Sequence, residues 1–176
     1  MGDHEHRKDL AGEYRWGDIG QIVLLIVFIT GTCFDLFLLK ISDSWQCAFP
    51  WYFRIVMFLP LIFVSWYLSQ KSHKIIFKEE REELIVIKTD VYAIIRHPMY
   101  LGAILTYLAF VILSISVFSI VIFIVVIIFY YYLCRYEEQI LIEKLGDQYK
   151  NYMKRVPMLI PRLRKWRWNI WFNWIW

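Results

Sequence analysis

PMYLGAILTYLAFVILSISVFSIVIFIVVIIFYYYLCRY, residues 98–136, is apolar almost without interruption. As one helix it would run to roughly 60 Å, about twice the hydrocarbon thickness of a bilayer. Ser114-Ile115-Ser116-Val117-Phe118-Ser119 is the one place in it with repeated small polar residues. The spacing therefore predicts two helices, 99–114 and 118–136, joined there by a tight turn. A single long tilted helix is the alternative.

Two further apolar runs precede this one. Residues 19–39 reach about 31 Å as a helix, enough to cross a membrane. Asp35 lies one turn from the end of that run, within reach of headgroups or a partner. Residues 48–69 follow, with Pro50 expected in the first turn, Arg54 able to snorkel at the outer end, and Pro60 expected to kink the helix. The composition agrees: 59% of the 176 residues are hydrophobic, against about 45–50% in soluble domains, and mean hydropathy is +0.44. A soluble fold of this size cannot hide so much apolar surface. The fold class expected is an all-α integral membrane protein of about four transmembrane helices, the last two a tight hairpin over 98–136, followed by a cytoplasmic cofactor-binding segment.

Charge sets the orientation. Of 20 Lys and Arg, only Lys40 and Arg54 fall on one side of a four-span topology; the other 18 lie in 1–18, in 70–98 and from Arg135 onward. By the positive-inside rule those three segments, and both termini, face the cytoplasm. The net charge of +4 is thus assigned to topology and anionic headgroups rather than to nucleic acid, since no groove-reading or base-stacking pattern accompanies it. Cys33, Cys47 and Cys134 are too few and too widely spaced for a disulfide framework or a zinc site; Cys33 and Cys134 read as small buried hydrophobes. Asp3-His4-Glu5-His6 reads as a polar terminus rather than a metal site, and 1–18 is too charged for a signal peptide. No internal repeat is visible.

The organisation expected is a cytoplasmic segment 1–18, two membrane helices within 19–69, a core 70–162, and a Trp-rich interfacial tail 163–176. Lys78–Glu83 is a charge run that reads as a solvated face, and 84–87 as a short extended stretch. From Glu138 to about Lys154 a helix places Leu141, Leu145, Tyr149 and Tyr152 on one face, with Gly146 as its weak point. Pro157 and Pro161 end regular structure.

Ionisable groups gather where the hairpin would meet the cytoplasm: Arg96-His97-Pro98-Met99-Tyr100-x-Gly102 on one arm and Arg135-Tyr136-Glu137-Glu138 on the other. Each piece alone is unremarkable. Proline is common in a first helical turn, and charges at a membrane boundary are often merely solvated or paired. Across the base of a hairpin, with helices about 8–10 Å apart, the two groups would line one pocket. A zwitterionic, cationic cofactor needs a carboxylate for its amino group and a donor for its carboxylate. Glu137 or Glu138 answers the first need, His97 or Arg96 the second. Tyr100 offers a ring to a sulfonium or an adenine, and Gly102 a bare backbone for close approach. No metal is required.

These residues, with Glu137-Glu138-x-x-Leu141, Gly146-x-x-Tyr149-x-x-Tyr152, Val156-Pro157 and Ile160-Pro161 in the same order, resemble the isoprenylcysteine carboxyl methyltransferase family and the similar phospholipid methyltransferases over about 84–162. The resemblance implies S-adenosylmethionine bound after the last spans. It implies that Tyr92, Arg96, His97, Tyr100, Gly102, Glu137 and Glu138 surround it, that Tyr149 and Tyr152 close the site, and that a lipid or other amphiphilic acceptor arrives laterally. Two positions depart from the pattern: Asp90-Val91-Tyr92 stands where Gly-Pro-Tyr is usual, and Met158 follows Val156-Pro157 where Arg is common.

The activity expected is direct in-line methyl transfer. Arg96 would hold a carboxylate acceptor, or Glu138 would take the proton of an amine acceptor. Two rivals carry different signatures: a nicotinamide-dependent, sterol-reductase-like enzyme would bind NADPH, and a non-enzymatic membrane partner protein would bind neither cofactor. The acceptor and the oligomeric state are not encoded in any motif.

Overall fold

The computed structural model describes residues 15–78 and 85–161. The Trp-rich tail, the histidine-bearing N-terminus and nearly all of the charge run lie outside these residues. The described residues are helical and contain no strand. In chain order they form α1 (Arg15–Phe34), a π-helical turn (Asp35–Leu39), short α2 (Asp43–Ala48), α3 (Trp51–His73) ending in a second π-helical turn (Lys74–Lys78), a 3-10 turn (Asp90–Ala93), α4 (Pro98–Ser114), α5 (Val117–Leu145) and α6 (Asp147–Arg155).

Three helical stretches are long and apolar enough to cross a membrane: Gly17–Leu39, Trp51–Ile76 and Val117–Leu145. α4 is apolar but shorter, because the chain breaks after Ser114. There Ile115 takes a left-handed conformation (φ 46°), and the Ser116 hydroxyl caps α5 by accepting from the Ser119 N–H at 3.4 Å. The expectation of one break between residues 114 and 118 is met at Ile115–Ser116. Other boundaries shift. Pro50 precedes α3 rather than occupying its first turn, since Ala48 closes the separate α2. Cys33 is exposed on the apolar surface rather than buried, while Cys134 is buried.

Most large side chains of α1 and α3 point outward, among them Ile22, Ile26, Val56, Phe63 and Trp66. In water this surface would be prohibitive; in a bilayer hydrocarbon solvates it. The interior is accordingly small. One cluster joins α1, α4 and α5 through Phe28, Tyr107, Val111, Val126, Tyr130 and Leu133. α1 approaches α5 closely at Gly20 and Gly31, where an added methyl would meet the Phe129 ring at 2.6 Å and Ile122 at 2.8 Å.

α4 packs most extensively against α3. Small residues allow this: Ser65 and Ser69, spaced four apart, face Gly102. The Ser65 hydroxyl lies 2.6 Å from both the Gly102 carbonyl and the Thr106 hydroxyl. At the far end of the bundle Asp35, fully buried, accepts hydrogen bonds from Ser42 and Ser116. The Val117 N–H donates to Ser42 Oγ at 2.9 Å. The partner expected for Asp35 is thus the loop after α1 together with the α4–α5 turn.

Candidate functional site: a buried ion cluster where α4 begins and α5 leaves the bundle

The sequence turns sharply before α4. Thr89 is extended, Asp90 adopts φ 53°, and Val91-Tyr92-Ala93 form a 3-10 turn. Aspartate tolerates the left-handed region better than most residues, and its carboxylate meets Lys71 Nζ at 2.8 Å. The turn buries Val91 and Tyr92 against Ile75 and sends Ile95 inward. Arg96 and His97 then lead into the first turn of α4.

A second segment holds them there. The Arg96 N–H donates to the Pro157 carbonyl at 2.9 Å, and the His97 N–H to the Met158 carbonyl at 3.1 Å. These contacts use Met158 only through its backbone, so its departure from the usual arginine leaves them intact. The chain returns to this place because Gly146 (φ 55°) ends α5 and redirects α6. α6 packs Tyr149, Tyr152 and Val156 against Leu141, Leu145 and Val86. The face expected from Leu141, Leu145, Tyr149 and Tyr152 is the one that packs. The Tyr152 hydroxyl donates to the Tyr92 carbonyl at 2.6 Å, tying α6 to the 3-10 turn.

Within this frame the charged side chains converge. Arg96 Nη2 lies 3.2 Å from Glu138 Oε1, and His97 Nε2 lies 3.3 Å from the same oxygen. His97 Nδ1 lies 3.6 Å from Glu137 Oε2, and the Tyr100 hydroxyl donates to Glu137 Oε1. The His97 and Tyr100 rings stack at 5.8 Å and 11°. Glu138 is only 2% exposed and the Arg96 side chain 10%. Burial alone would lower the His97 pKa, but the hydrogen bonds it donates to Glu137 and Glu138, with their charges, outweigh it and the net direction is upward. Burial first, then the nearby Glu138 carboxylate, pushes the Tyr149 hydroxyl up.

Among the described residues, three atoms of the cluster are buried with no hydrogen-bond partner: Arg96 Nε, Arg96 Nη1 and Glu138 Oε2. Orphaned buried polar atoms are costly and rare. The two free guanidinium donors lie on different edges of Arg96, so a carboxylate can accept from one of them, and the free carboxylate oxygen can accept from an ammonium. A ligand carrying an α-amino acid group offers an ammonium to Glu138 Oε2 and a carboxylate to one of the two Arg96 donors. No group of three metal-ligating side chains exists among the described residues.

Of the residues anticipated from sequence, Arg96, His97, Tyr100, Glu137 and Glu138 come together in this cluster. Tyr92, Tyr149 and Tyr152 form the packed layer beside it. At Gly102 an added methyl would meet Ser69 Oγ at 2.7 Å and the Ser65 carbonyl at 3.1 Å, so the glycine admits the close α3–α4 contact. Sequence reading missed Ser65 and Ser69, although their small-xxx-small spacing signals helix contact in a membrane. It also missed Tyr130, whose ring leans on Tyr100 at 5.5 Å, because nothing local distinguishes it from Tyr131 and Tyr132.

A family model described as phospholipid methyltransferase matches residues 47–148. That range holds Arg96, His97, Tyr100 and both glutamates. Methanethiol S-methyltransferase from Pseudomonas deceptionensis is 36% identical over 76 residues, which cover 42% of this chain and 28% of the relative. Methanethiol S-methyltransferase 2 from Bradyrhizobium diazoefficiens is 33% identical over 72 residues, 41% and 27% of the two chains. The matched part thus spans little more than a quarter of each curated relative.

Proposed function

Because this chain belongs to the phospholipid methyltransferase family, we propose that it is an S-adenosylmethionine-dependent methyltransferase whose Arg96 and Glu138 hold the amino-acid end of the cofactor. The observation that carries this is the trio of orphaned atoms, two donors on Arg96 and one acceptor on Glu138. When bound, S-adenosylmethionine supplies a methyl group made electrophilic by its sulfonium. The residues of this chain bind, orient and shield. Arg96 presents a free guanidinium N–H to the carboxylate. Glu138 keeps one oxygen on Arg96 and His97 and leaves the other for an ammonium. Tyr100 and His97 fix Glu137 from both sides, and the Tyr100 ring offers a face to a cation. The layer of Tyr92, Tyr149 and Tyr152 excludes water from the cluster.

In this reading α1, α3, α4 and α5 cross the membrane four times, α4 and α5 as a hairpin, and the ion cluster lies at the cytoplasmic boundary. The concentration of basic residues on that side supports the orientation. An acceptor approaches from the bilayer. One that must lose a proton finds Glu138, Glu137 and His97 in the cluster, and one bearing a carboxylate finds Arg96. The acceptor is a lipid or another amphiphile, isoprenylated ones included. A second reading, a small thiol, is favoured by the names of the two curated relatives.

Binding of labelled S-adenosylmethionine to the purified protein, with NADPH as competitor, tests the cofactor assignment. Saturable binding that NADPH leaves unchanged is expected. No binding, or displacement by NADPH, overturns it. Native membranes incubated with the labelled cofactor then separate acceptors: label in the lipid extract supports an amphiphile, and a volatile labelled thioether formed only with added methanethiol supports the thiol.

A further inference from the structure

Trp66, Tyr67, Gln70, Lys71, His73 and Lys74 line an open groove of about 240 Å³ near the basic end of α3. Its place on the helix is set by the α4 contact. Ser65, Leu68 and Ser69 face Gly102. At about 100° per residue, Trp66, Gln70 and Lys74 fall on the opposite side, toward lipid. Trp66 and Tyr67 are 58% and 43% exposed. An indole and a phenol one to two turns before a set of basic side chains mark the level where hydrocarbon gives way to headgroups.

The groove's polar half is made for negative charge. Lys71 and Lys74 lie one turn apart, and Gln70 adds an amide donor beside them. Lys71 is not idle: Asp90 holds its ammonium at 2.8 Å, and the Tyr67 ring lies beneath it at 5.9 Å. The pair to Asp90 fixes the Lys71 head at the rim while its remaining donors stay available. The aromatic half suits acyl chains and glycerol.

We propose that this groove binds the headgroup of an anionic phospholipid, with Lys71 and Lys74 on the phosphate and Trp66 and Tyr67 against the upper acyl chains. The commitment to a lipid rather than a soluble anion rests on the exposed aromatics, which would meet water if no acyl chain covered them. The site lies on the face of α3 away from Gly102, and it does not depend on the methyltransferase reading.

The test places the full chain in nanodiscs of phosphatidylcholine containing 20-fold less, by number, of either brominated phosphatidylglycerol or brominated phosphatidylcholine (roughly the dilution at which only an enriched lipid quenches well). The part of the fluorescence quenching lost in Trp66→Phe is read. Brominated phosphatidylglycerol should quench this Trp66 component more strongly. Lys74→Gln, which leaves the Lys71–Asp90 pair in place, should weaken the preference by about five-fold. That corresponds to the ~1 kcal/mol of a lysine near an anionic surface, at 1.4 kcal/mol per decade. Lys74→Arg should keep it. Equal quenching by the two lipids, or a preference untouched by Lys74→Gln, overturns the proposal. A free-phosphate source is overturned or supported by the same discs: inorganic phosphate at millimolar concentration should not displace the lipid, and displacement sinks the lipid assignment.

Discussion

At the scale of single residues, the cluster joins two demands that usually conflict. Arg96, His97, Glu137 and Glu138 are buried or nearly so, yet three of their polar atoms have no partner among the described residues. A buried ion pair is strongly destabilised when one member is removed, by about 3–5 kcal/mol, because the other charge is left uncompensated. Glu138→Ala alone should therefore lower thermal stability in detergent as well as cofactor binding. The double variant Arg96→Met with Glu138→Leu should recover much of the stability and still bind S-adenosylmethionine at least ten-fold more weakly. A double variant that folds and binds normally would remove both residues from the site. His97 adds a pH dependence whose sign is fixed. Its folded pKa lies above the 6.5 of the unfolded chain. Its contribution to stability is thus fully present below pH 6.5 and is lost as pH rises through the folded value. The melting temperature of the wild type should fall over that window more than that of His97→Gln; parallel curves would show that His97 is not held by the two glutamates.

At the scale of elements, two glycines do different work. Gly146 sits at φ 55° and ψ −130°, with nothing within 4 Å of the position a methyl would take. Any loss in Gly146→Ala is therefore backbone strain alone, on the order of 1–3 kcal/mol. Because this residue turns α6 back toward Tyr92, the same variant should also weaken cofactor binding. Thermal unfolding alongside a binding isotherm checks both. Gly102 has an ordinary helical backbone but almost no room, its neighbours being Ser69 Oγ and the Ser65 carbonyl. Gly102→Leu should push α3 from α4 and cost about 1–3 kcal/mol, as overpacking commonly does. Adding Ser69→Ala should recover part of the loss in Gly102→Ala, since the hydroxyl is its nearest obstacle. No recovery in a melting experiment would place the clash elsewhere.

At the scale of the whole molecule, topology is the quantity to test. With Cys33, Cys47 and Cys134 replaced, a cysteine at Thr89 and one at Ser44 should label from opposite sides with a membrane-impermeant maleimide, Thr89 from the cytoplasm. Labelling of both from one side would refute the odd number of crossings between them. The sequence alone determined the membrane environment, because apolar run length is a one-dimensional property that a bilayer reads directly. It favoured a break near Ser116, where small polar residues recur, and the structure placed it at Ile115–Ser116. The cluster of Arg96, His97, Tyr100, Glu137 and Glu138 was legible because α4 and α5 are joined by a tight turn, which brings their far ends together. Tertiary structure decided what sequence separation hides. It put Gly102 against Ser65 and Ser69, brought the Pro157 and Met158 carbonyls to the backbone of Arg96 and His97, and leaned Tyr130 on Tyr100. It also left Arg96 Nε, Arg96 Nη1 and Glu138 Oε2 unpartnered. Each of these is a contact, or the want of one, between atoms that no local pattern relates. Which donors remain free inside a protein is known only once every other donor has found its acceptor.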